Sequence, residues 1–474
     1  MAQPDVQADR VAEKSSGAAK VVLAVACAAQ FMVVLDISVV NVALPSIRDA
    51  LGFDETGLQW VVNAYALTFA GFLLLGGRLA DLFGRRRIFL TGLVLFAGAS
   101  LAGGLAGSAA PLVAARAVQG LGAAVLAPAT LTILTATFPE GPARTRALAT
   151  WTAVGIAGGT AGNLVGGVLT EFLSWRSTLL INVPIGVVAV ALTARHVAAD
   201  RPGGARPRLD VVGAVLATAG LGTLAFGVAA AAESGWASSA SIAGIGAGVA
   251  LLVVFLAVEA RVAVAPLIPL RLFTIRSVAV GNVAMLLAGA SLNPMWFFLT
   301  LSMQNVLGYS PLLTGLAFLP HTVVAILVGA RATPWLMRRV DGRVLITVGS
   351  LLAAAGFWWQ AQLSVDSGYV LGILGPAIVF SIGSGLLNTP ITTAVTAGVP
   401  TADAGAASGV MNTAKQVGGA LGLAALITVA GAHGGGPGVL LDAYNRAFYA
   451  IAAIMIVVAL VAAALPAQRD RESP

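Results

Sequence analysis

The sequence predicts an all-α membrane protein of fourteen transmembrane helices, on three observations. The 474 residues are 58% hydrophobic and 10% charged, with a mean hydropathy of +0.92, whereas a soluble globular chain carries roughly 25% charged residues. Apolar runs of about twenty residues, the length that crosses a bilayer core, recur from residue 20 to residue 466. The basic residues concentrate in every second interval between runs, as membrane topology requires.

The first run, 20–44, follows Arg10, Lys14 and Lys20. It contains Asp36 and Asn41 and is too long and too polar in its second half for the core of a cleaved signal peptide, so it reads as a retained helix. Runs at 58–79 and 88–108 flank a turn carrying Arg78, Arg85, Arg86 and Arg87, and 111–136 follows after a short uncharged connection. Arg144 and Arg146 precede 147–170, and 177–198 begins just after Arg176. The polar stretch DRPGGARPRLD at 200–210 leads into 211–232 and 240–260. The remaining runs lie at 278–302, 312–332, 343–363, 369–397, 406–431 and 445–466. None alternates apolar and polar residues as a barrel strand does, so each must satisfy its own backbone hydrogen bonds as a helix.

With the N-terminus in the cytoplasm, 27 Lys and Arg residues distribute very unevenly. Only Arg48, Arg176 and Arg446 fall outside, Arg116 and Lys415 lie within helices, and all others face the cytoplasm. This asymmetry predicts a multi-pass protein of the cell (inner or plasma) membrane with both termini cytoplasmic.

The same features exclude other classes. The single cysteine, Cys27, sits in the first apolar run, so no disulfide framework or cysteine-rich metal site is expected. The net charge of +7 is spread between apolar runs and implies no nucleic-acid partner. No GxxxxGK[ST] phosphate loop, metal constellation or soluble catalytic domain is present, which argues against an enzyme or a nucleotide-driven pump.

An internal repeat organises the chain. GGRLADLFGRRR after the second run has a looser counterpart in ARATPWLMRRVDGR after the tenth. Two parallel six-helix halves follow from it, as in transporters whose site lies between repeats. The divisions are a cytoplasmic tail at 1–19, a six-helix bundle at 20–198, a linker with two inserted helices at 199–265, a second six-helix bundle at 266–466 and a tail at 467–474.

LDISVVNVALP at 35–45, GRLADLFGRRR at 77–87, LVAARAVQGLGAA at 112–124, GIAGGTAGNLVGG at 155–167, SWRSTLLINVPIG at 174–186 and ASGVMNTAKQVGGALG at 407–422 occur in order at the appropriate helices. Together they resemble the major facilitator superfamily, in its fourteen-helix drug/proton antiporter branch of multidrug and antibiotic exporters. Ser38 stands where that branch usually has threonine, Leu82 replaces a basic residue, and Asn163 replaces a proline. The resemblance implies a major-facilitator-like fold of two six-helix bundles plus two inserted helices, and efflux coupled to protons.

Of twenty acidic residues, only Asp36 sits well inside an apolar run. Such a carboxylate is a functional candidate by default, and Asp36 is the expected proton carrier. Arg116 lies at a depth within about 5 Å of it, counting 1.5 Å per residue, and the family fold puts both helices on one cavity, so a pair or a water-bridged relay is expected. His321, beside Pro320, is a second candidate proton acceptor; a buried histidine bonded to a neighbouring helix is the alternative. Gly77, Asp81, Gly84, Arg85 and Arg86 form the expected latch at the cytoplasmic turn. Gly158, Gly162 and Gly166 recur every four residues and predict close helix packing, with Asn163 among them as part of the gate. Phe31, Tyr65, Gln119, Trp296, Gln304, Asn388, Asn412 and Gln416 are candidates for the substrate cavity by helix and polarity. Lys415 is expected near the cytoplasmic end of its helix, where its stem can snorkel.

The sequence thus points to a monomeric secondary transporter in the lipid bilayer. It would export an amphipathic drug, antibiotic or metabolite by alternating access, with the proton as coupling ion and no other cofactor or metal. A facilitator or proton symporter that takes up a nutrient on the same fold is the alternative.

Overall fold

A computed structural model of the chain describes residues 4–138, 141–197, 210–263, 266–400, 403–431 and 436–466. The described residues form helices and no strand. In chain order they are α1 Pro4–Leu51, α2 Glu55–Phe83, α3 Arg85–Gly104, α4 Ala109–Thr137, α5 Pro142–Phe172 and α6 Trp175–His196, the last interrupted at Ile181. Then come α7 Val211–Ser234, α8 Ser239–Arg261, α9 Arg276–Val306, α10 Pro311–Met337, α11 Gly342–Gln360, α12 Val370–Thr396, α13 Ala404–Ala430 and α14 Pro437–Ala463.

Thirteen helices among the described residues are long and apolar enough to cross a membrane. The run predicted at 58–79 is also helical, as the 29-residue α2, and packs among them against α4, α7 and α13. Helix ends differ from the hydropathic boundaries because the backbone continues helical into polar flanks. Residues 4–19, expected as a tail, belong to α1, and α14 starts early because Pro437 suits the first helical turn. Several ends are set by glycine instead: Gly52, Gly84, Gly235 and Gly431 have φ of 69°, 93°, 83° and 61°, a region that strains other residues. The tail 467–474 and the linker residues 198–209 lie outside the described residues.

Helices α1 to α6 pack on one another, as do α9 to α14. Within the first group Gly158, Gly162 and Gly166 of α5 lie against Phe31, Ser38 and Val39 of α1. In the second, Gly418 and Gly422 of α13 lie against Leu286 and Ala290 of α9. Glycine crossings also join α3 to α4, through Gly92 and Gly122, and α11 to α12, through Gly349, Gly356 and Gly383. The repeat legible in the arginine turns is therefore repeated in backbone packing.

The groups meet along two corresponding seams, α2 with α13 and α5 with α10, and α1 touches α9. Arg48 donates to Asn305 at 3.3 Å, Gln304 to the Val42 carbonyl at 2.9 Å, the Leu312 amide to Glu171 at 3.3 Å and Thr413 to the Ala70 carbonyl at 3.4 Å. These bonds run from mid-bundle to the end opposite the arginine-rich turns. One apolar cluster spans both groups there, including Val42, Ile47, Leu58, Phe298, Met303 and Phe318. Toward the arginine-rich end, α1 to α6 keep a separate cluster around Met32, Phe69, Phe89, Phe96 and Leu126.

Helices α7 and α8 cross at Gly227 and Gly244, where a Cβ on Gly244 would lie 2.6 Å from the Gly227 Cα. Leu221 and Ala225 of α7 pack with Leu67 and Ala70 of α2 and with Val417, Ala420 and Ala424 of α13. The hairpin thus covers the α2–α13 seam. Glu259, in the last turn of α8, is buried, a result unexpected for a carboxylate at a helix end. The chain folds back over it and the Ile268 amide donates to its carboxylate at 2.9 Å.

Candidate functional site

Five helices deliver polar side chains to one point inside the α1–α6 group. Asp36 of α1 is fully buried and Arg116 of α4 is 2% exposed. The Arg116 Nη1 donates to Asp36 Oδ2 at 2.5 Å and to Gln119 Oε1 at 2.7 Å, and its Nε donates to the Val61 carbonyl of α2 at 2.9 Å. Three residues apart on α4, Arg116 and Gln119 share a helix face. Gln119 Nε2 donates to Asp36 Oδ1 at 2.7 Å and to Ser100 of α3 at 2.6 Å. Asn182 of α6, next to the interruption at Ile181, donates to Asp36 Oδ1 at 2.8 Å and to Ser100 at 3.2 Å. The Tyr65 ring of α2 lies 4.5 Å from the Arg116 guanidinium carbon, a cation–π contact.

Burying an ion pair is costly unless its other hydrogen-bonding sites are also filled. Here both carboxylate oxygens accept charge-assisted or amide donors. A proton arriving on Asp36 would remove the charge that holds Arg116 and change contacts to α2, α3, α4 and α6 together. Asn182 and Ser100 are absent from the sequence-derived candidates; the available signal was a lone asparagine after an unbroken LLI run and a serine in mid-helix.

His321 of α10 is buried and lies apart from this cluster. Its Nδ1 meets the Ser381 hydroxyl of α12, and that hydroxyl also lies 2.5 Å from the Ala377 carbonyl. Which of Nδ1 and the hydroxyl donates depends on the histidine tautomer. Trp296 and Phe380 flank the ring at centroid distances of 4.9 and 4.8 Å.

At the arginine-rich turn, Gly84 takes a φ of 93° between α2 and α3. Arg86 donates to the Ala194 carbonyl at 2.5 Å, in the last turn of α6, where a cation also complements the helix dipole. Arg85 is exposed, and Gly77 faces Pro128 of α4. The Asp81 side chain lies outside the described residues. Asn163 is buried on α5, and a Cβ on Gly315 of α10 would lie 2.5 Å from its carbonyl oxygen.

The eight expected cavity residues stand in different settings. Gln119 and Tyr65 belong to the buried ion-pair cluster, and Gln304 is tied across the two groups. Phe31 packs on Gly158, and Trp296 on His321 and Phe318. Asn388 and Asn412 donate to carbonyls of their own helices. Gln416 is partly exposed on α13. Polarity within a helix does not distinguish a cavity-lining amide from one consumed by a neighbour.

A paired-bundle membrane fold with an intramembrane ion pair defines the class as a polytopic transporter scaffold. The family model described as Major Facilitator Superfamily matches residues 26–423, and the chain belongs to that family of membrane transporters. It is 57% identical over 448 residues to the cephamycin export protein of Amycolatopsis lactamdurans, covering 94% of this chain and 92% of that one. It is 41% identical to the puromycin resistance protein of Streptomyces alboniger, with 94% and 90% covered. To the tetracenomycin C resistance and export protein of Streptomyces glaucescens it is 36% identical, with 83% and 73% covered. Among solved structures, a peptide transporter bound to sulfate superposes with a TM-score of 0.70 at 17% identity, covering 94% of each chain, and is alike in fold.

Proposed function

We propose that the protein is a proton-coupled exporter that moves an amphipathic antibiotic, drug or metabolite out of the cell by alternating access. The observation that carries the reading is the Asp36–Arg116 pair, sealed by Gln119, Asn182 and Ser100 inside the membrane-spanning bundle. The names of its relatives, which speak of cephamycin export, puromycin resistance and tetracenomycin export, support the direction and the kind of cargo.

The arginine-rich end is the cytoplasmic one, by the excess of basic residues there. The conformation closed at the opposite end then corresponds to an inward-facing state. Proton binding to Asp36 neutralises the carboxylate, releases Arg116 and lets α1 and α4 shift against each other; proton release restores the pair. A membrane potential of about 100 mV supplies roughly 2.3 kcal/mol per inward charge. That equals about a fifty-fold gradient for a neutral solute, at roughly 1.4 kcal/mol per tenfold.

Expression in a sensitive host should lower ethidium accumulation, and a protonophore should restore it. Asp36→Asn should abolish proton-driven export with the protein still inserted in the membrane. Full coupled export by Asp36→Asn would remove the basis of the proposal.

A further inference from the structure

Contacts fix the faces of α13. Thr413, Val417, Ala420 and Ala424 lie toward α2 and α7, and Gly418 and Gly422 lie against α9. At about 100° per residue, the strip left between those neighbours carries Asn412, Gln416 and Gly419, with Lys415 at its α9 edge. Lys415 is half-buried and stands eleven residues after Ala404, about 16 Å along the helix axis. That depth exceeds the reach of its four-carbon stem, so the expected snorkelling to the helix end does not apply.

The α9 side of the strip is also polar. A Cβ on Gly289 would lie 2.2 Å from the Lys415 carbonyl oxygen, and one turn further along a Cβ on Gly419 would lie 2.4 Å from the Asn293 Nδ2. The Asn293 side chain therefore packs on Gly419, one turn past Lys415 on α13. Among the described residues, Lys415 has no charged neighbour, no side-chain hydrogen bond is found for Lys415, Asn293 or Gln416, and their polar atoms are not among the fully buried unpartnered ones. Arg116, the other cation deep in an apolar run, is already paired with Asp36 and bonded to Gln119 and the Val61 carbonyl. An intramembrane cation left without a partner is costly and marks a ligand or ion pathway.

We infer that Lys415, with Asn293 and Gln416 beside it, forms an anion-recognising subsite between α9 and α13, and that it selects amphipathic substrates bearing a carboxylate. The ammonium supplies the counter-charge and the two amides supply directional donors, while the surrounding helices accommodate an apolar body. This inference rests on the transport reading for its biological meaning but can be tested apart from it.

The test uses the purified full chain and two xanthene dyes of opposite charge, fluorescein and rhodamine 6G. Fluorescence anisotropy measures binding without a proton gradient, and everted vesicles measure export. Lys415→Gln should weaken fluorescein binding at least about tenfold, the effect of losing one charged hydrogen bond, and change rhodamine 6G binding less than threefold. Lys415→Arg should retain most fluorescein binding. The inference is overturned by wild-type protein that binds rhodamine 6G but not fluorescein, by Lys415→Gln weakening both dyes equally, or by its weakening neither. Lys415-dependent fluorescein binding without proton-driven export of either dye would sink the export proposal and leave the subsite standing.

Discussion

Asn163 of α5 and Gly315 of α10 meet backbone to backbone across the seam between the two helix groups. A Cβ at position 315 would sit 2.5 Å from the Asn163 carbonyl oxygen, closer than packed atoms approach. Gly315→Leu should therefore prevent this end of the molecule from closing. In a Cys27→Ser background, a cysteine introduced at Gln304 should become reactive toward an external, membrane-impermeant maleimide, and export should fall more than tenfold. An unreactive cysteine in the Gly315→Leu protein would show that the crossing does not control closure.

The ion pair makes a stability prediction separate from its proposed role in transport. Asp36→Ala alone leaves a buried guanidinium without its counter-charge and should destabilise the protein by about 3–5 kcal/mol. Adding Arg116→Met should recover a large part of that loss, since no charge remains stranded, while export stays absent. Thermal unfolding of the purified proteins in detergent compares them, and a double variant no more stable than the single one would contradict the assignment.

For His321, the prediction concerns its hydrogen bond to Ser381. Ser381→Ala removes the hydroxyl that bonds Nδ1 and should cost about 1–3 kcal/mol, the usual penalty for a buried polar group without a partner. His321→Phe on top of Ser381→Ala should restore stability, because Trp296 and Phe380 still have a ring to pack against. Equal stability of Ser381→Ala and the parent would mean that the pair does not matter structurally.

Gly227→Leu should force α7 and α8 apart and destabilise the hairpin by about 1–3 kcal/mol, the range for overpacked contacts. The KM of ethidium export should stay within twofold of the parent. A large KM change would place the hairpin in the substrate route.

The helices were legible in the sequence because the bilayer imposes one solution on every apolar run, and the Gly158, Gly162 and Gly166 spacing announced a close helix contact. Asp36 and Arg116 stood out because charges are rare within such runs. Asn182 and Ser100 did not, since neutral polar residues occur throughout these helices and only the fold reveals that Asn182 reaches Asp36 and that Ser100 accepts from Gln119 and Asn182. The same ambiguity applies to Gln119 and Gln304, expected cavity residues whose amide nitrogens are bonded to neighbours. The Gly315 crossing and the Lys415 strip depend on how one helix registers against another many residues away, which periodicity along a single helix does not encode.

The α7–α8 hairpin covers only one of two corresponding seams. The other, at α5 and α10, leaves Val168, Leu313 and Leu316 exposed beside its glycines. In a bilayer, acyl chains would meet one seam directly while protein shields the other, and under the proposed alternating access lateral pressure should bias opening asymmetrically. Lipid composition would then be a mechanical input to a molecule whose two halves otherwise correspond.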